Sequence, residues 1–427
     1  MHRIVVVGGG IAGIVTATHL SRELRRSELA DVLLIDHNPA HIWKPMLHTF
    51  AAGTANYTNE NISFISHAKR NGFKHWPGEL RGLDRSGKAV DLGPVPLPDP
   101  EETLAGRSIP YDTLILAIGS RADDFGTPGI AENCHFIDDI REAQAFCELF
   151  RSRIYQAIIA RADLHVVVVG GGATGVELSA QLSQHVETLS SYATNGIPAH
   201  LRLTLIENGS RVLGPFPERV SKAVEAKLRQ LGIDVRTGTK VVGADAKGVI
   251  PDGDRRIDAN LIVWAAGVKA PDVVSKLDGL EVNRKGQIVV RPTLQSQVDE
   301  NVFALGDCSS LSGPDGMPLP TTAQVARQQA VFLARSLAGH PKQHKPLAEF
   351  HFRDMGSLVS LGDYAAYGTL GTYGFFRGGF LKGRLAHLAH AALYRMHQMD
   401  LYGPVRGGVT LLADDLTRAV RPRILLG

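Results

Sequence analysis

The chain has 427 residues, too many for one compact core of ordinary size, so two or three domains are expected. Its 46 basic and 43 acidic residues leave a formal charge of only +3, and this balance gives no indication of a nucleic-acid partner. Three widely spaced cysteines argue against a disulfide framework and a Cys-x-x-Cys redox pair, and they favour a reducing compartment.

The first predicted element is a strand, because the apolar run Ile4-Val5-Val6-Val7 is typical of a strand buried on both faces. Only Met1-His2-Arg3 precedes it, so no secretory leader is expected, and no apolar run is long enough to span a bilayer. A glycine turn and a helix follow, and a second apolar strand ends at Asp36. This order is the dinucleotide-binding fingerprint. The residues expected to bind the first nucleotide are Gly8, Gly9, Gly10, Gly13 and Asp36.

The same construction returns in the middle of the chain as an internal repeat. A strand from His165 to Val169 leads into a glycine turn, and a second strand ends at Glu207. The residues expected to bind the second nucleotide are Gly170, Gly172, Gly175 and Glu207. Glu207 would repel a 2′-phosphate, which favours NADH over NADPH, although Arg211 nearby could partly offset that repulsion. Two dinucleotides in one chain indicate electron transfer between their redox-active ends.

Three later strands end at a glycine, namely at Gly119, at Gly267 after Ala265, and at Gly306 before Asp307. Each alone fits a buried strand followed by a turn. In this order, however, the motifs resemble the two-dinucleotide-binding-domain flavoproteins, which are α/β proteins with two Rossmann-like domains. The resemblance implies that Asp307 binds the ribityl chain of FAD and that Gly119, Ala265 and Gly267 contact the cofactors.

The resemblance also implies that the second nucleotide domain is inserted into the first. We therefore expect FAD to bind residues 1–120 and 285–350, with NADH binding residues 121–284 and a C-terminal region in 351–427. Cys134, Cys147 and Cys308 form no close pair, so disulfide reduction is not expected. Sulfide oxidation through paired cysteines is a weaker alternative.

A helix capped by a threonine is predicted for Thr321 to Ala330, after a proline-bounded loop. Gln324 and Gln328 are four residues apart, so both amides lie on one helix face and could bind a quinone carbonyl. By spacing alone, a solvent-exposed glutamine stripe is the better interpretation.

Over essentially its whole length the sequence resembles the bacterial type II NADH dehydrogenases, which are single-subunit NADH:quinone oxidoreductases that pump no protons. The motifs that carry this resemblance are His41 to His48, Gly170 to Leu178, Val263 to Pro271, Gly306 to Cys308, Ala323 to Gln328, Gly356 to Leu361, Tyr394 to Gln398 and Arg421 to Arg423. The resemblance implies non-covalent FAD, NADH as the donor and a membrane quinone as the acceptor. It places Gln324 and Gln328 at the quinone site, and it places Ala323 and Gln324 at the bound cofactor. It also places Glu177 near the nicotinamide and flavin, and Lys44 at the flavin edge. An early-helix glutamate such as Glu177 is also common simply as a partner of the helix dipole.

The C-terminal tail is expected to be helical from Phe380 and amphipathic. The first apolar face comprises Leu381, Leu385, Leu388, Ala392, Met396 and Met399, with Lys382, Arg384, Arg395 and His397 elsewhere; a second comprises Val409, Leu412, Leu416 and Val420, flanked by Arg418, Arg421 and Arg423. Amphipathicity alone favours packing on the protein body or on a homodimer partner. The basic excess favours docking of residues 380–427 on an anionic membrane, which for a bacterial enzyme is the cytoplasmic face of the inner membrane. His387 and His390 are interpreted as polar surface, so no metal site is expected.

Two other functions fit parts of the sequence. A soluble NADH reductase would pass electrons to a protein or dye acceptor and would need no lipid. A redox-sensing interaction protein would bind both nucleotides and turn over slowly with every small acceptor.

Overall fold

The structure is a computed structural model of the chain. It describes residues 1–24, 30–55, 57–96, 103–192, 201–343, 346–362, 364–371, 380–383, 395–403 and 405–409. Many positions predicted for the C-terminal faces lie outside these ranges, namely Arg384, Leu385, His387, Leu388, His390, Ala392, Leu412, Leu416, Arg418, Val420, Arg421 and Arg423.

The chain divides into two compact units, and each is assembled from three separate stretches. The first unit comprises Met1–Trp43, Asn61–Arg121 and Lys269–Phe352. The second unit comprises Lys44–Glu60, Ala122–Val268 and Arg353–Gly427. The domain boundaries expected from the sequence assign a nucleotide to each stretch of chain, and that assignment stays a prediction.

Helices occur in both units, and their lengths range from a single turn to about six turns. The α-helices are α1 (Ile11–Leu24), α2 (Leu47–Ala51), α3 (Tyr57–Glu60), α4 (Phe64–Asn71), α5 (Ile130–Asn133), α6 (Ile140–Ala160), α7 (Ala173–Tyr192), α8 (Glu218–Gln230) and α9 (Ala323–Gln343). Short 3-10 helices occupy Lys44–Met46, Asp272–Lys276 and Gly306–Cys308. Residues 395–402 and 405–409 are also helical.

The strands are mostly short. They are β1 (His2–Val7), β2 (Ala30–Asp36), β3 (Ala40–Ile42), β4 (Asn61–Ser63), β5 (Lys74–Pro77), β6 (Leu80–Asp84), β7 (Ala89–Leu92), β8 (Val95–Pro96), β9 (Thr103–Leu104), β10 (Arg107–Pro110), β11 (Thr113–Leu116), β12 (Arg121–Ala122), β13 (Leu164–Val169), β14 (Leu201–Ile206), β15 (Asp234–Arg236), β16 (Val241–Asp245), β17 (Gly248–Pro251), β18 (Ile257–Asp258), β19 (Leu261–Trp264), β20 (Val268–Lys269), β21 (Ile288–Val289), β22 (Val302–Ala304), β23 (Ser309–Ser310), β24 (Gly356–Ser360), β25 (Ala366–Leu370) and β26 (Phe380–Lys382).

The core of the first unit is a five-stranded parallel sheet in the order β22-β11-β1-β2-β5. Its central strand is apolar on both faces, and Val5 and Val6 are fully buried, as expected for a parallel sheet covered on both sides. The helix α1 that follows β1 packs against α9. Thr16 and Thr18 of α1 are buried, but their hydroxyls keep hydrogen-bond partners because they donate to Ala12 O and Ile14 O.

The second unit repeats this plan with a four-stranded parallel sheet in the order β15-β14-β13-β19. Val166, Val167 and Val168 of its central strand are fully buried. Two parallel α/β sheets, each with a glycine turn after its central strand, confirm the predicted fold class.

One prediction for the tail was wrong. Residues 380–382 do not begin a helix but form the strand β26, which pairs antiparallel with β25 in a three-stranded sheet, β24-β25-β26, of the second unit. The short apolar run Phe380-Leu381 satisfies either a helix or a strand pattern, and pairing with a distant segment decides between them.

Candidate functional site

The first glycine turn, Gly8 to Gly13, joins β1 to α1, and the neighbouring backbone leaves no room for a side chain at Gly8 or at Gly13. Gly8 has φ +101°, and a Cβ there would lie 2.3 Å from Ala117 O. A Cβ on Gly13 would lie 1.7 Å from Gly8 O, so the helix can approach the strand only without a side chain. The turn therefore depends on local backbone geometry.

Gly10 differs from these two, because a Cβ there would have nothing within 4 Å. The fold does not need a glycine at this position, but a ligand that approaches the backbone would. Gly10 is exposed and immediately precedes α1, whose N-terminus carries partial positive charge. This open cradle fits the pyrophosphate of a dinucleotide such as FAD.

The acid at the end of β2 is tied to the same turn. Asp36 accepts a hydrogen bond of 2.5 Å from Gly9 N through one oxygen and of 2.7 Å from Asn38 N through the other. The structure therefore brings Asp36 beside the glycine turn, where the sequence placed it as a ribose ligand.

The buried side chain of His41 supports this turn by a hydrogen bond to its backbone. The sequence did not reveal this role, although His41 is the first residue of the motif His41 to His48. Its buried Nδ1 donates to Gly9 O at 2.8 Å, since a carbonyl oxygen can only accept. Burial lowers the pKa of His41 to about 4, against an ordinary value of 6.5, so the ring is neutral at physiological pH.

Asp307 lies in the first unit on the 3-10 helix after β22. Its Oδ2 accepts a hydrogen bond of 2.7 Å from the hydroxyl of Ser120, which is the residue after Gly119. Its backbone carbonyl accepts a hydrogen bond of 2.9 Å from Gln287 Nε2. A Cβ on Gly306 would lie 3.3 Å from Ala326 Cβ and 3.5 Å from Ala12 Cβ, so this loop lies beside both α1 and α9. Within the first unit, Gly119, Asp307 and the beginnings of these two helices are brought together.

The helix α9 begins as the sequence predicted. Val325 N donates to Thr322 Oγ1 at 3.3 Å, which confirms the threonine cap. Ala323, Gln324 and Gln328 are half-buried in the first turns of the helix. The glutamine that the sequence did not single out, Gln329, is buried and accepts from Gly306 N at 2.7 Å.

The second glycine turn, Gly170 to Gly175, repeats the first. Gly170 has φ +116°, and a Cβ there would lie 2.3 Å from Ala265 O, while a Cβ on Gly175 would lie 2.0 Å from Gly170 O. A Cβ on Gly172 would have nothing within 4 Å. This turn also presents an open backbone position at the start of a helix, α7.

Glu207 is held by backbone amides at the edge of the second turn. Its two carboxylate oxygens accept from Gly171 N and Gly209 N, both at 2.6 Å. From the sequence, Arg211 was considered as a group that could offset the repulsion of a 2′-phosphate. In the structure its guanidinium instead donates hydrogen bonds to Gly214 O, Phe216 O and Ser221 Oγ. The loop that Arg211 holds contains Leu213, whose N–H donates to Gly171 O at 2.7 Å. Arg211 thus supports the turn, and less of it is left for a 2′-phosphate.

Gly267 lies at the carboxyl end of β19 and packs under an aromatic ring. A Cβ on Gly267 would lie 2.7 Å from Phe125 Cζ. Lys44, which the resemblance placed at the flavin edge, belongs to the second unit, and its Nζ lies 3.5 Å from Asp138 Oδ1.

Glu177 lies in the interior of the second unit on α7, one turn beyond the glycine motif. Its Oε1 accepts from Ser360 N at 2.9 Å, and its Oε2 lies 3.5 Å from His48 Nδ1. Burial raises the pKa of Glu177 to about 8, although the Ser360 hydrogen bond acts in the opposite direction. The carboxyl is therefore largely protonated at neutral pH. The sequence singled out Glu177 but neither His48 nor Ser360 as its neighbour.

The three cysteines are free thiols, and burial raises the pKa of each, to about 12 for Cys134 and about 11 for Cys308. A thiol held protonated in this way is a poor nucleophile. This disfavours the sulfide-oxidising alternative. In the part of the chain that the structure describes, no helix is both long enough and apolar enough to cross a bilayer.

Comparisons with known proteins identify relatives of the whole chain. Residues 2–330 match the family model of pyridine nucleotide-disulphide oxidoreductases. The type II NADH:quinone oxidoreductase of Haemophilus influenzae is 39% identical, and the match covers 100% of both chains. The protein of the same name from Staphylococcus saprophyticus is 27% identical over 86% of this chain and 89% of its own.

Two solved structures share the fold. NDH2 from Plasmodium falciparum in complex with NADH has a TM-score of 0.82 at 18% identity, covering 99% of this chain and 100% of its own. The sulfide:quinone oxidoreductase from Aquifex aeolicus has a TM-score of 0.75 at 17% identity, covering 95% and 92%. With two dinucleotide turns of this geometry and a full-length relative at 39% identity, the chain belongs to the type II NADH:quinone oxidoreductases.

Proposed function

We propose that this chain oxidises NADH and reduces a membrane quinone, with FAD as its resident cofactor. The observation that carries the proposal is the pair of glycine turns, each with an open backbone position at a helix start and an acid bound to its second glycine. A bound flavin would supply the chemistry that accepts a hydride and releases electrons. The protein's part is to bind, orient and provide protons.

In the first unit, Gly8, Gly9, Gly10 and Gly13 form the pyrophosphate cradle, and Asp36 takes the ribose. Asp307 binds the ribityl chain, together with Gly119 and the following residue, Ser120. Gln324 and Gln328, in the first turns of α9, offer side-chain amide donors to a quinone carbonyl. Ala323 and Gln324 lie at the N-terminus of α9, which faces the cofactor and favours negative charge on its reduced form.

In the second unit, Gly170, Gly172 and Gly175 take the pyrophosphate of NADH, and Glu207 takes its adenine-side ribose. Ala265 and Gly267 lie at the carboxyl end of the same sheet, where nucleotides bind in open α/β folds. The lone carboxylate of Glu207 supports NADH over NADPH. Glu177 stores a proton, and Lys44 stays the weaker proposal of a contact to the flavin edge.

The tail supports docking on an anionic membrane surface. In the helical segments that the structure describes, apolar side chains are exposed: Met396 by 41%, Met399 by 39%, Val405 by 79% and Val409 by 62%. The polar residues Arg395, His397 and Gln398 are buried instead. Arg395 and His397 therefore do not contribute to a basic surface, and the exposed apolar side chains are suited to contact with lipid. We place the protein at the cytoplasmic face of a bacterial inner membrane.

The test compares quinone presented in two ways to the full-length, FAD-loaded protein. NADH oxidation is measured with a short-chain quinone in solution and with a long-chain quinone in vesicles of anionic or zwitterionic lipid. Val405→Glu and Met399→Glu should leave the first rate unchanged and lower the second by about tenfold, because a charge cannot enter the lipid interface. Ile159→Glu, which changes a residue exposed by 84% on α6, is the matched control.

Equal vesicle rates for all variants would refute the docking surface. Rapid reduction of the bound flavin by NADH with no quinone turnover in any form would refute the acceptor and favour a soluble NADH reductase for another partner.

A further inference from the structure

A buried acid and a buried imidazole face each other in the second unit. Glu177 is 6% exposed and His48 is 4% exposed, and 3.5 Å separates Glu177 Oε2 from His48 Nδ1. Removing a charged carboxylate from water is costly, so this pair is arranged for a shared proton rather than for two charges in solvent.

Two hydrogen bonds connect the segments that surround the pair. Ser360 N of β24 donates to Glu177 Oε1 at 2.9 Å, which leaves Oε2 for the imidazole. One turn further along α7, Thr54 Oγ1 donates to Gln181 Oε1 at 2.9 Å. The segment that carries His48 is thus joined to α7 by a second contact, which involves neither of the two titratable groups.

The neighbouring charged groups are occupied with each other. Lys44, in the 3-10 helix just before α2, lies 3.5 Å from Asp138. From β24, the group that meets Glu177 is the backbone N–H of Ser360, which carries no charge. Among the described contacts of Glu177, the one with a titratable side chain is its contact with His48.

The reaction needs a proton from outside its substrates. NADH supplies two electrons with one hydrogen nucleus, and a quinone takes up two electrons and two protons to become a quinol. One proton must therefore come from water for every NADH oxidised. A group that stores this proton in a buried site and a second group that replaces it would meet that need.

We propose that His48 is the positioning residue that controls the Glu177 proton, and that the two residues act as one proton-exchange pair. When the Glu177 carboxyl has given up its proton, the protonated imidazole returns one: the Nδ1–H bond breaks and the Oε2–H bond forms. His48 then regains its proton from water. This proposal rests on the proposed function, because it assigns the route of the proton that quinone reduction consumes.

The experiment uses His48→Asn in the full-length, FAD-loaded protein. Asparagine keeps a hydrogen-bonding amide near the Nδ1 position but cannot titrate. We expect unchanged FAD content, unchanged flavin reduction by NADH, and quinone turnover lower by about 100-fold, the usual contribution of a proton-transfer group. The pH dependence of the remaining turnover should lose one titrating limb.

A second readout does not depend on turnover. Infrared spectra of the FAD-loaded protein should contain the C=O band of a protonated buried carboxyl, and Glu177→Gln should abolish it. In His48→Asn the pH at which this band disappears should shift. Thr54→Val, which removes the second link between the two segments without a titratable group, should leave both the band and the turnover unchanged.

Two outcomes would overturn the proposal: an unchanged band and turnover in His48→Asn, or an equal loss in Thr54→Val, which would indicate packing alone. Failure of the proposed function is distinguishable, because the wild-type protein would then reduce no quinone while the infrared band and its dependence on His48 could still be measured.

Discussion

The two glycine turns of this chain have nearly the same backbone and different surroundings. In both, the first glycine has a left-handed φ and closely approaches a carbonyl at the end of a neighbouring strand, 2.3 Å from where a Cβ would lie. In both, a carboxylate accepts from the second glycine, at 2.5 Å from Asp36 and 2.6 Å from Glu207. The backbone geometry that the two turns share therefore follows from the same local order of strand, glycine turn and helix.

The difference lies in what backs each turn. In the first unit, the Gly9 carbonyl is bound by the buried His41, and a Cβ on Gly9 would lie 2.1 Å from Phe64 Cζ. In the second, the Gly171 carbonyl is bound by Leu213 N, in a loop that Arg211 holds. The first turn is also joined by the loop of Asp307 and by α9.

This contrast matches the two kinds of ligand proposed. A resident cofactor gains affinity from contacts that come from many parts of the chain, whereas a substrate that leaves after each cycle gains speed from a site with fewer. We therefore expect the contacts outside each turn, rather than the turn itself, to set how long a dinucleotide stays bound.

The largest expected effect comes from the open positions. Gly10→Ala and Gly172→Ala each add a methyl group where the protein has nothing within 4 Å, so neither should harm the fold. Gly10→Ala should weaken FAD binding by about 1–3 kcal/mol through overpacking against the ligand, and purified protein should lose flavin on dilution. Gly172→Ala should keep its flavin and raise the KM for NADH by about tenfold. Flavin content is read by absorbance and KM by steady-state kinetics.

If Gly172→Ala lost flavin and Gly10→Ala did not, the assignment of the two ligands to the two turns would be reversed. If neither variant changed binding, the dinucleotides would not approach these backbones. Ile65→Ala, which changes an exposed side chain on α4, is the control variant for this pair. A control of the form Gly→Ala at Gly316 would be unsuitable, because the φ of +76° there would strain an alanine.

Much of each turn is readable from the sequence because every part is local. The glycine spacing, the preceding apolar strand and the acid that ends the second strand follow one another within a short stretch of chain. The same holds for the cap of α9, where Thr322 and Val325 are three residues apart. Local rules also predict that two such units form an α/β flavoprotein fold.

The contacts around Glu177 and in the tail are not local, and patterns along the sequence do not predict them. Ser360 and Glu177 are 183 positions apart, and no period or spacing connects them. The strand at Phe380–Lys382 exists because Ala366–Leu370 pairs with it, which a pattern read along one segment cannot show. The burial of Arg395 is likewise not apparent from the amphipathic pattern of its own helix.

A smaller effect is expected at the two acids. Asp36→Asn and Glu207→Gln each replace an acceptor of two backbone N–H groups by an amide with one oxygen, which costs about 1.5–3 kcal/mol for a bond to a charged group. Asp36→Asn should speed flavin loss, whereas Glu207→Gln should raise the KM for NADH. Removal of the charge should also lower the preference for NADH over NADPH by about tenfold.

The measurement is the ratio of kcat/KM for the two nucleotides, together with the flavin content. Glu218→Gln, at an exposed position in the first turn of α8, removes a carboxylate from the same unit and should leave the ratio unchanged. A ratio that stays constant in Glu207→Gln would show that this carboxylate does not meet the adenine-side ribose.

The last prediction concerns stability, where the two units should respond to pH in opposite directions, by a small amount for each step in pH. Burial lowers the pKa of His41 to about 4 from 6.5 and raises that of Glu177 to about 8 from 4.5. Protons bind more tightly to the unfolded state for His41, so its contribution is present above pH 6.5 and is lost as the pH falls towards 4. Protons bind more tightly to the folded state for Glu177, so keeping its carboxyl buried costs stability as the pH rises from 4.5 to 8. Each slope is at most about 1.4 kcal/mol per pH unit.

Thermal midpoints of the FAD-loaded protein at several pH values separate the two contributions. Relative to wild type, Glu177→Gln should gain stability as the pH rises to about 8 and then gain no more, because glutamine has no proton to lose. His41→Asn, whose amide can still donate to Gly9 O, should gain relative stability only as the pH falls below 6.5. Parallel pH profiles for a variant and wild type would mean that its site is wetter than its burial implies. For His41 that result would remove the neutral ring as a support of the first turn, and the contrast between the turns would then rest on Asp307 and α9.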